Sequence, residues 1–164
     1  MGALVRNRFV ILDLAEGWIE RTRVPLWMLS AIDGTASVSF TMFPVAYGVV
    51  MNLSTLRALE HERRKTYDEV RRAARRGGRA PAGRFFVDET SWAEGEIFCV
   101  QSTQRVNFES LGFRGVRGVT REWSISDGKH VLDATLQTET EDAFECAVPA
   151  CERMMHSVRF EGPS

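Results

Sequence analysis

The stretch GVTREWSISDGKHVLDATLQTETEDAFECAVPACERMMHSVRF, Gly118 to Phe160, decides the fold. It reads as strand, tight turn, strand, helix and a last extended piece, Ser157-Val158-Arg159-Phe160. Val116–Ile125 and His130–Glu139 alternate with period two, and Asp127-Gly128 between them suits a type I′ turn. Pairing across that turn sets Ile125 opposite His130, Trp123 opposite Leu132, Arg121 opposite Ala134 and Val119 opposite Leu136. One face of the hairpin is then apolar apart from Arg121 and the turn-end His130. A lone arginine there needs an acid or a route to solvent, so it is expected to reach the sheet edge or to pair with Glu145 or Glu152 of the following helix. The other face carries Thr120, Glu122 and Ser124 against Val131, Asp133 and Thr135. A helix is expected from near Glu141. Pro149 within it predicts a break, with Pro149 as the first residue of a second turn of helix.

Working back toward the N-terminus, strands are expected at Arg8–Leu14 and Ala36–Met42. In the second, Ala36, Val38, Phe40 and Met42 alternate with Ser37, Ser39 and Thr41, as in a half-buried strand. Asp33-Gly34 supplies the turn before it. A long helix follows from about Leu53 to Arg76, with Leu53, Leu56, Leu59, Tyr67, Val70 and Ala74 near one stripe and Gly77-Gly78 as its stop. Phe85–Glu89 and Glu96–Thr103 read as a hairpin closed by Trp92-Ala93-Glu94-Gly95. The order β-β-α-β-β-β-β-α predicts an α+β fold for residues 1–164 as a single domain, an antiparallel sheet sandwiched by helices.

Composition narrows the function. The chain has 164 residues, 44% hydrophobic and 26% charged, with a formal net charge of −1. That is the make-up of a folded globular domain, not of a disordered chain. A charge near zero gives no whole-molecule field to gather nucleic acid or a membrane surface, so neither is expected as a partner. Three cysteines, an odd number, fit a reducing compartment. Met1–Leu14 carries no export-signal pattern, and the apolar run Phe43–Met51 is far too short for a membrane span. The cytoplasm is the expected compartment.

Several short segments resemble the PsbP/Mog/DcrB-like superfamily. They are Phe9-Val10-Ile11 leading into Gly17-Trp18, the strand Arg121-Glu122-Trp123, the Asp127-Gly128 hairpin, Thr138-Glu139-Thr140, and Cys151 to Phe160. The resemblance implies the same α+β sandwich. It also implies a surface for holding partners, since members bind a small GTPase, photosystem subunits, or the apolar segments of secreted effectors as dedicated chaperones.

Residues that could carry chemistry are few. Cys146, Cys151 and His156 are five residues apart, so successive members sit about 140° apart around a helix and share no face. That spacing misses the usual zinc patterns, and no metal or cofactor is expected. A Cys–His pair would have to bring Cys99, Cys146 or Cys151 to His61, His130 or His156 in space. Gly112, Gly115 and Gly118 open a strand rather than a helix, so they lack the setting of a phosphate loop. Glu122 opposite Asp133 would be either a repelling pair on an exposed face or an acid/base site. Arg71, Arg72, Arg75 and Arg76, with Arg79, form a candidate anion-binding cluster, or else a solvated helix end favoured by the macrodipole.

The apolar stretches Val24–Leu29 and Phe43–Met51 are the remaining candidates. Both contain proline and neither alternates. Trp27, Met28, Phe43, Tyr47 and Met51 are therefore either a partner surface or buried strand and sub-helix packing. The expected function is a non-catalytic protein-binding module, an adaptor or chaperone for a bacterial secreted effector. The alternatives are an immunity protein that blocks a toxin and a small enzyme using the Glu122/Asp133 face. Self-association into a homodimer is left open.

Overall fold

The computed structural model describes residues 3–22, 26–76, 83–107 and 117–162, with side chains described except at 66–71, 73–76, 83–86, 106–107 and 117. Ten strands and two helices are formed among the described residues. β1 (Leu4–Asn7) and β2 (Val10–Asp13) open the chain and pair with the last strand, β10 (Arg159–Phe160), as a small sheet in the order β1-β2-β10. The other strands are β3 (Trp18–Glu20), β4 (Trp27–Ala31), β5 (Ala36–Pro44), β6 (Gly83–Glu94), β7 (Ile97–Asn107), β8 (Arg117–Ser126) and β9 (His130–Thr138). They build one antiparallel sheet in the order β3-β4-β5-β9-β8-β7-β6.

The two helices take opposite faces of that sheet. α2 (Glu141–His156) packs on β5, β8 and β9 and also touches β2, while α1 (Leu53–Arg76) lies along β6 and β7. The expected antiparallel sheet sandwiched by helices is therefore present, with a second, smaller sheet added. The main core lies beneath α2. Trp27, Leu29, Val38, Trp123, Ile125, Leu132 and Leu136 meet Cys151, Met154 and Met155 of α2 and Val10 and Leu12 of the small sheet. Each large side chain so buried is worth about 1.5–3 kcal/mol relative to exposure. Under α1 the apolar cluster is small: Leu56, Val100 and Val131, flanked by Phe43, Val45, Met51, Leu53 and Phe98.

Several details differ from the sequence reading. The β8–β9 register is shifted by two residues, with Ile125 opposite Leu132, Trp123 opposite Ala134 and Arg121 opposite Leu136. The cause is the turn. Asp127 Oδ1 accepts from the backbone N–H of Lys129 (2.8 Å) and of His130 (2.7 Å), and Ser126 Oγ accepts from Gly128 N–H at 3.0 Å. Those bonds hold residues 127–130 as a longer loop in place of a two-residue I′ turn. A shift by two keeps every side chain on its expected face.

α2 runs unbroken through Pro149. Pro149 and Glu145 are both exposed, so the carbonyl that loses its donor is on the water-facing side. Thr140 caps this helix, its hydroxyl accepting from Ala143 N–H at 3.1 Å. The β6–β7 hairpin turns at Gly95 (φ 60) and Glu96, so Trp92, Ala93 and Glu94 belong to the strand, not the loop. Arg8 and Phe9 form the β1–β2 turn instead of starting a strand. Leu59 is exposed on α1, off the buried stripe that Leu56 marks. Gly77-Gly78, Gly112 and Gly115 lie outside the described residues.

Candidate interaction surface

β5 ends at Pro44, and the chain then crosses to α1 through a loop that is fixed at both ends. Val45 N–H donates to Lys129 C=O at 2.8 Å, tying its start to the β8–β9 turn. Asn52 closes the other end as helix cap: its Oδ1 accepts from Thr55 N–H at 2.9 Å, while Thr55 Oγ1 donates to Val50 C=O at 3.0 Å. Val49 N–H donates to Ala46 C=O at 3.1 Å across a turn whose third residue, Gly48, has φ 80. Glycine suits that position because a side chain would be strained there. The turn throws Tyr47 outward, fully exposed, followed by Val49 at 46% and Val50 at 76% exposure.

The same loop is anchored by its other residues. Phe43, Val45 and Met51 are half-buried against Leu56, Val100 and Val131. The loop thus has an apolar root and an apolar, solvent-facing tip. Of the residues singled out from sequence, Tyr47 is at the tip, and Phe43 and Met51 are at the root. Trp27 is corrected to a core residue: it begins β4, is 2% exposed and stacks on Phe40 with ring centroids 4.3 Å apart. Met28 is half-buried on the opposite side of β4 from Trp27. Val49 and Val50 were not singled out individually, although they lie within the apolar run that pointed here.

The other candidates resolve differently. Glu122 stands opposite Thr135, and Asp133 opposite Ser124, so the expected carboxylate pair does not form. The face is also not open. Glu60 of α1 is buried over it, with Arg63 bonding both Glu60 (2.9 Å) and Asp133 (2.7 Å). Ser124 Oγ lies 3.0 Å from Glu60 Oε1 and 2.6 Å from Asp133 Oδ1. Burial raises the Glu60 carboxyl above its ordinary value, and the Arg63 guanidinium opposes that rise. Arg64 pairs with Glu89 on the same side. Arg121, on the other face, reaches Glu152 Oε1 at 2.7 Å and Thr103 Oγ1, with its guanidinium 5.6 Å from the Phe144 ring centroid.

Cys99 and Cys151 are buried, and burial pushes both thiols up, that of Cys151 to about 12. Cys146 is exposed on α2. His156 stacks on Trp92 with centroids 4.2 Å apart and lies 2.8 Å from Glu94. His130 stacks on Phe9 at 4.2 Å and lies 3.1 Å from Asp127. Among the described residues no three of His, Cys, Asp and Glu converge as a metal site would require. Arg72 is exposed, and the side chains of Arg71, Arg75 and Arg76 lie outside the described residues. No helix among the described residues is long and apolar enough to cross a membrane.

No protein-family model and no curated protein sequence matches the chain. Among solved structures it is similar to the solution structure of cyanobacterial PsbP (CyanoP) from Synechocystis sp. PCC 6803. The TM-score is 0.60 at 11% identity, covering 92% of this chain and 86% of that one. At that identity the likeness speaks for the fold alone. The chain has a PsbP-like α+β fold.

Proposed function

We propose that this protein is a non-catalytic protein-binding module that grips an apolar segment of its partner through the β5–α1 loop. The observation that carries the reading is the full exposure of Tyr47, beside Val49 and Val50, on a loop hydrogen-bonded at both ends. An apolar tip held in one conformation loses little entropy on binding, which is what a contact hot spot requires. An adaptor, or a chaperone that shields the apolar segment of a secreted effector, uses a surface of this kind. The raised thiols of Cys99 and Cys151 and the neutralised carboxylates under α1 further favour binding over catalysis.

The test is a double variant, Tyr47→Ser with Val50→Ser, purified from the producing cell beside the unaltered protein and compared by mass spectrometry. The expected result is loss of a stoichiometric protein partner with unfolding free energy changed by less than about 0.5 kcal/mol, as for exposed positions generally. A variant that stays folded and retains its partner overturns the assignment of this loop.

A further inference from the structure

The apolar tip at Tyr47 has a counterpart at the other end of the strand it follows. β5 runs from Ala36 to Pro44, so its two ends are roughly 27 Å apart. A cleft of about 330 Å³ opens at the Ala36 end, between the β4–β5 turn and α2. Its open walls are Ala31, Ile32, Ala143 and Cys146, of which Ile32 is 65% exposed and Cys146 is also exposed. Accessible apolar walls of this kind mark contact sites. The residues that line the cleft, and their neighbours in sequence, are all among the described residues.

The two ends differ in charge. Asp33 is the charged residue lining the cleft, and the Thr35 N–H it accepts from holds its carboxyl below the ordinary value, so it is anionic. Asp142 and Glu145, beside Ala143 and Cys146 on α2, are exposed, as is Glu16 beside Gly17 of the lining. At the tip the exposed charge is Lys129, whose carbonyl accepts from Val45 N–H and so ties it to the loop. Asp127 of the same turn is already engaged by the His130 ring and by two backbone N–H groups. An apolar projection beside a cation thus stands at one end of β5, and an apolar cleft beside carboxylates at the other.

We infer that the cleft receives the Tyr47 tip of a second copy of this chain, so that copies associate head to tail. The inference rests on the reading of that loop as a contact surface. Tyr47 fills the space between Ile32 and the α2 wall, an aromatic anchor in a concave site large enough to hold it. Lys129 meets Asp33 at the rim, where opposite charges fix the register. Tip and cleft are different surfaces, so the contact is heterologous. Each added copy leaves one tip and one cleft open, and the array grows with concentration. Only the terminal copy keeps its tip free, so self-association and capture of a protein partner compete.

Sedimentation velocity between about 10 μM and about 1 mM reads the array directly. The unaltered protein is expected to exceed the mass of two chains at the upper end. Tyr47→Ser and Ile32→Arg, both at exposed positions that tolerate substitution, are each expected to stay at the mass of a single chain. An equimolar mixture of the two is expected to reach two chains and stop, because one variant supplies the intact cleft and the other the intact tip. The proposal is overturned if the unaltered protein is still a single chain at about 1 mM. It is equally overturned if Ile32→Arg assembles as the unaltered protein does, or if the mixture fails to pair. Partner capture separates this contact from the reading it rests on. Ile32→Arg keeps its tip and is expected to retain the protein partner. If Tyr47→Ser retains that partner while losing self-association, the partner site falls and the head-to-tail contact stands.

Discussion

On one side of the seven-stranded sheet, Trp123, Ile125, Leu132 and Leu136 meet Cys151, Met154 and Met155 of α2. On the other, Ser124 and Asp133 meet Glu60 and Arg63 of α1. The strands are shared, and alternate residues of β8 and β9 serve both layers. What differs is how each layer holds. The α2 side is stabilised by area removed from water, which is additive and indifferent to pH. The α1 side is held by a partly buried ionic network that is worth little in net terms but costly to leave half-made. One helix is fastened by quantity of contact, the other by completeness of pairing.

The comparison breaks first at Trp123. Its complete burial predicts a loss of about 3–5 kcal/mol for Trp123→Ala in a denaturant titration. A loss below about 1 kcal/mol would mean that the α2 side does not rest on area at all.

A smaller effect is expected where polarity intrudes on that apolar side. Arg121→Met alone strands Glu152, which is about three-quarters buried, and should cost about 2–3 kcal/mol. Arg121→Met combined with Glu152→Leu should recover most of that loss, because the surrounding layer is already apolar. If the double variant is as unstable as the single one, the pair is doing more than satisfying itself.

The smallest effect is on the α1 side and depends on pH. Glu60 has a folded pKa raised above its unfolded value, chiefly by burial. The folded state therefore holds that proton more tightly, and this group's destabilising contribution is full above the folded pKa. It fades as pH falls through the folded pKa and is gone below the unfolded value. Glu60→Gln mimics the protonated form. It should compare best with the unaltered protein at pH 7 and lose that advantage steadily toward about pH 4, near the ordinary carboxylate value. Chemical denaturation of both proteins across that range checks it, and a difference that stays flat with pH would sink the idea.

Much of the α2 layer was legible in the sequence. The alternation in β5, β8 and β9 gives the facing, and a misjudged turn moved the register by an even step that left the facing intact. Arg121 was readable in part: one charge on an apolar face needs water or an acid, and of the sheet edge, Glu145 and Glu152 it takes Glu152. The α1 layer was not legible. Glu60 and Arg63 look like ordinary solvated helix charges until the sheet beneath is known to carry Ser124 and Asp133 in adjacent positions. Trp27 was misplaced because β4 has only five residues, too few for its alternation to stand out beside a proline. Tyr47 was identifiable as part of an apolar run. Its separation from Phe43 and Met51 into tip and root was not, since that depends on the Asn52 cap and the Lys129 contact.

The pairing of β10 with β2 has a consequence in time. Val10 and Ile11 find their outer neighbours in Phe160 and Arg159, and Glu161 N–H donates to Phe9 C=O at 2.7 Å. The β1–β2 hairpin must therefore wait for residues made much later before its second edge is covered. Throughout synthesis it presents an unpaired strand and the apolar side chains of Val5, Val10 and Leu12, the conditions under which nascent chains associate wrongly. The small sheet is thus finished only once β10 has been made, and until then it depends on protection.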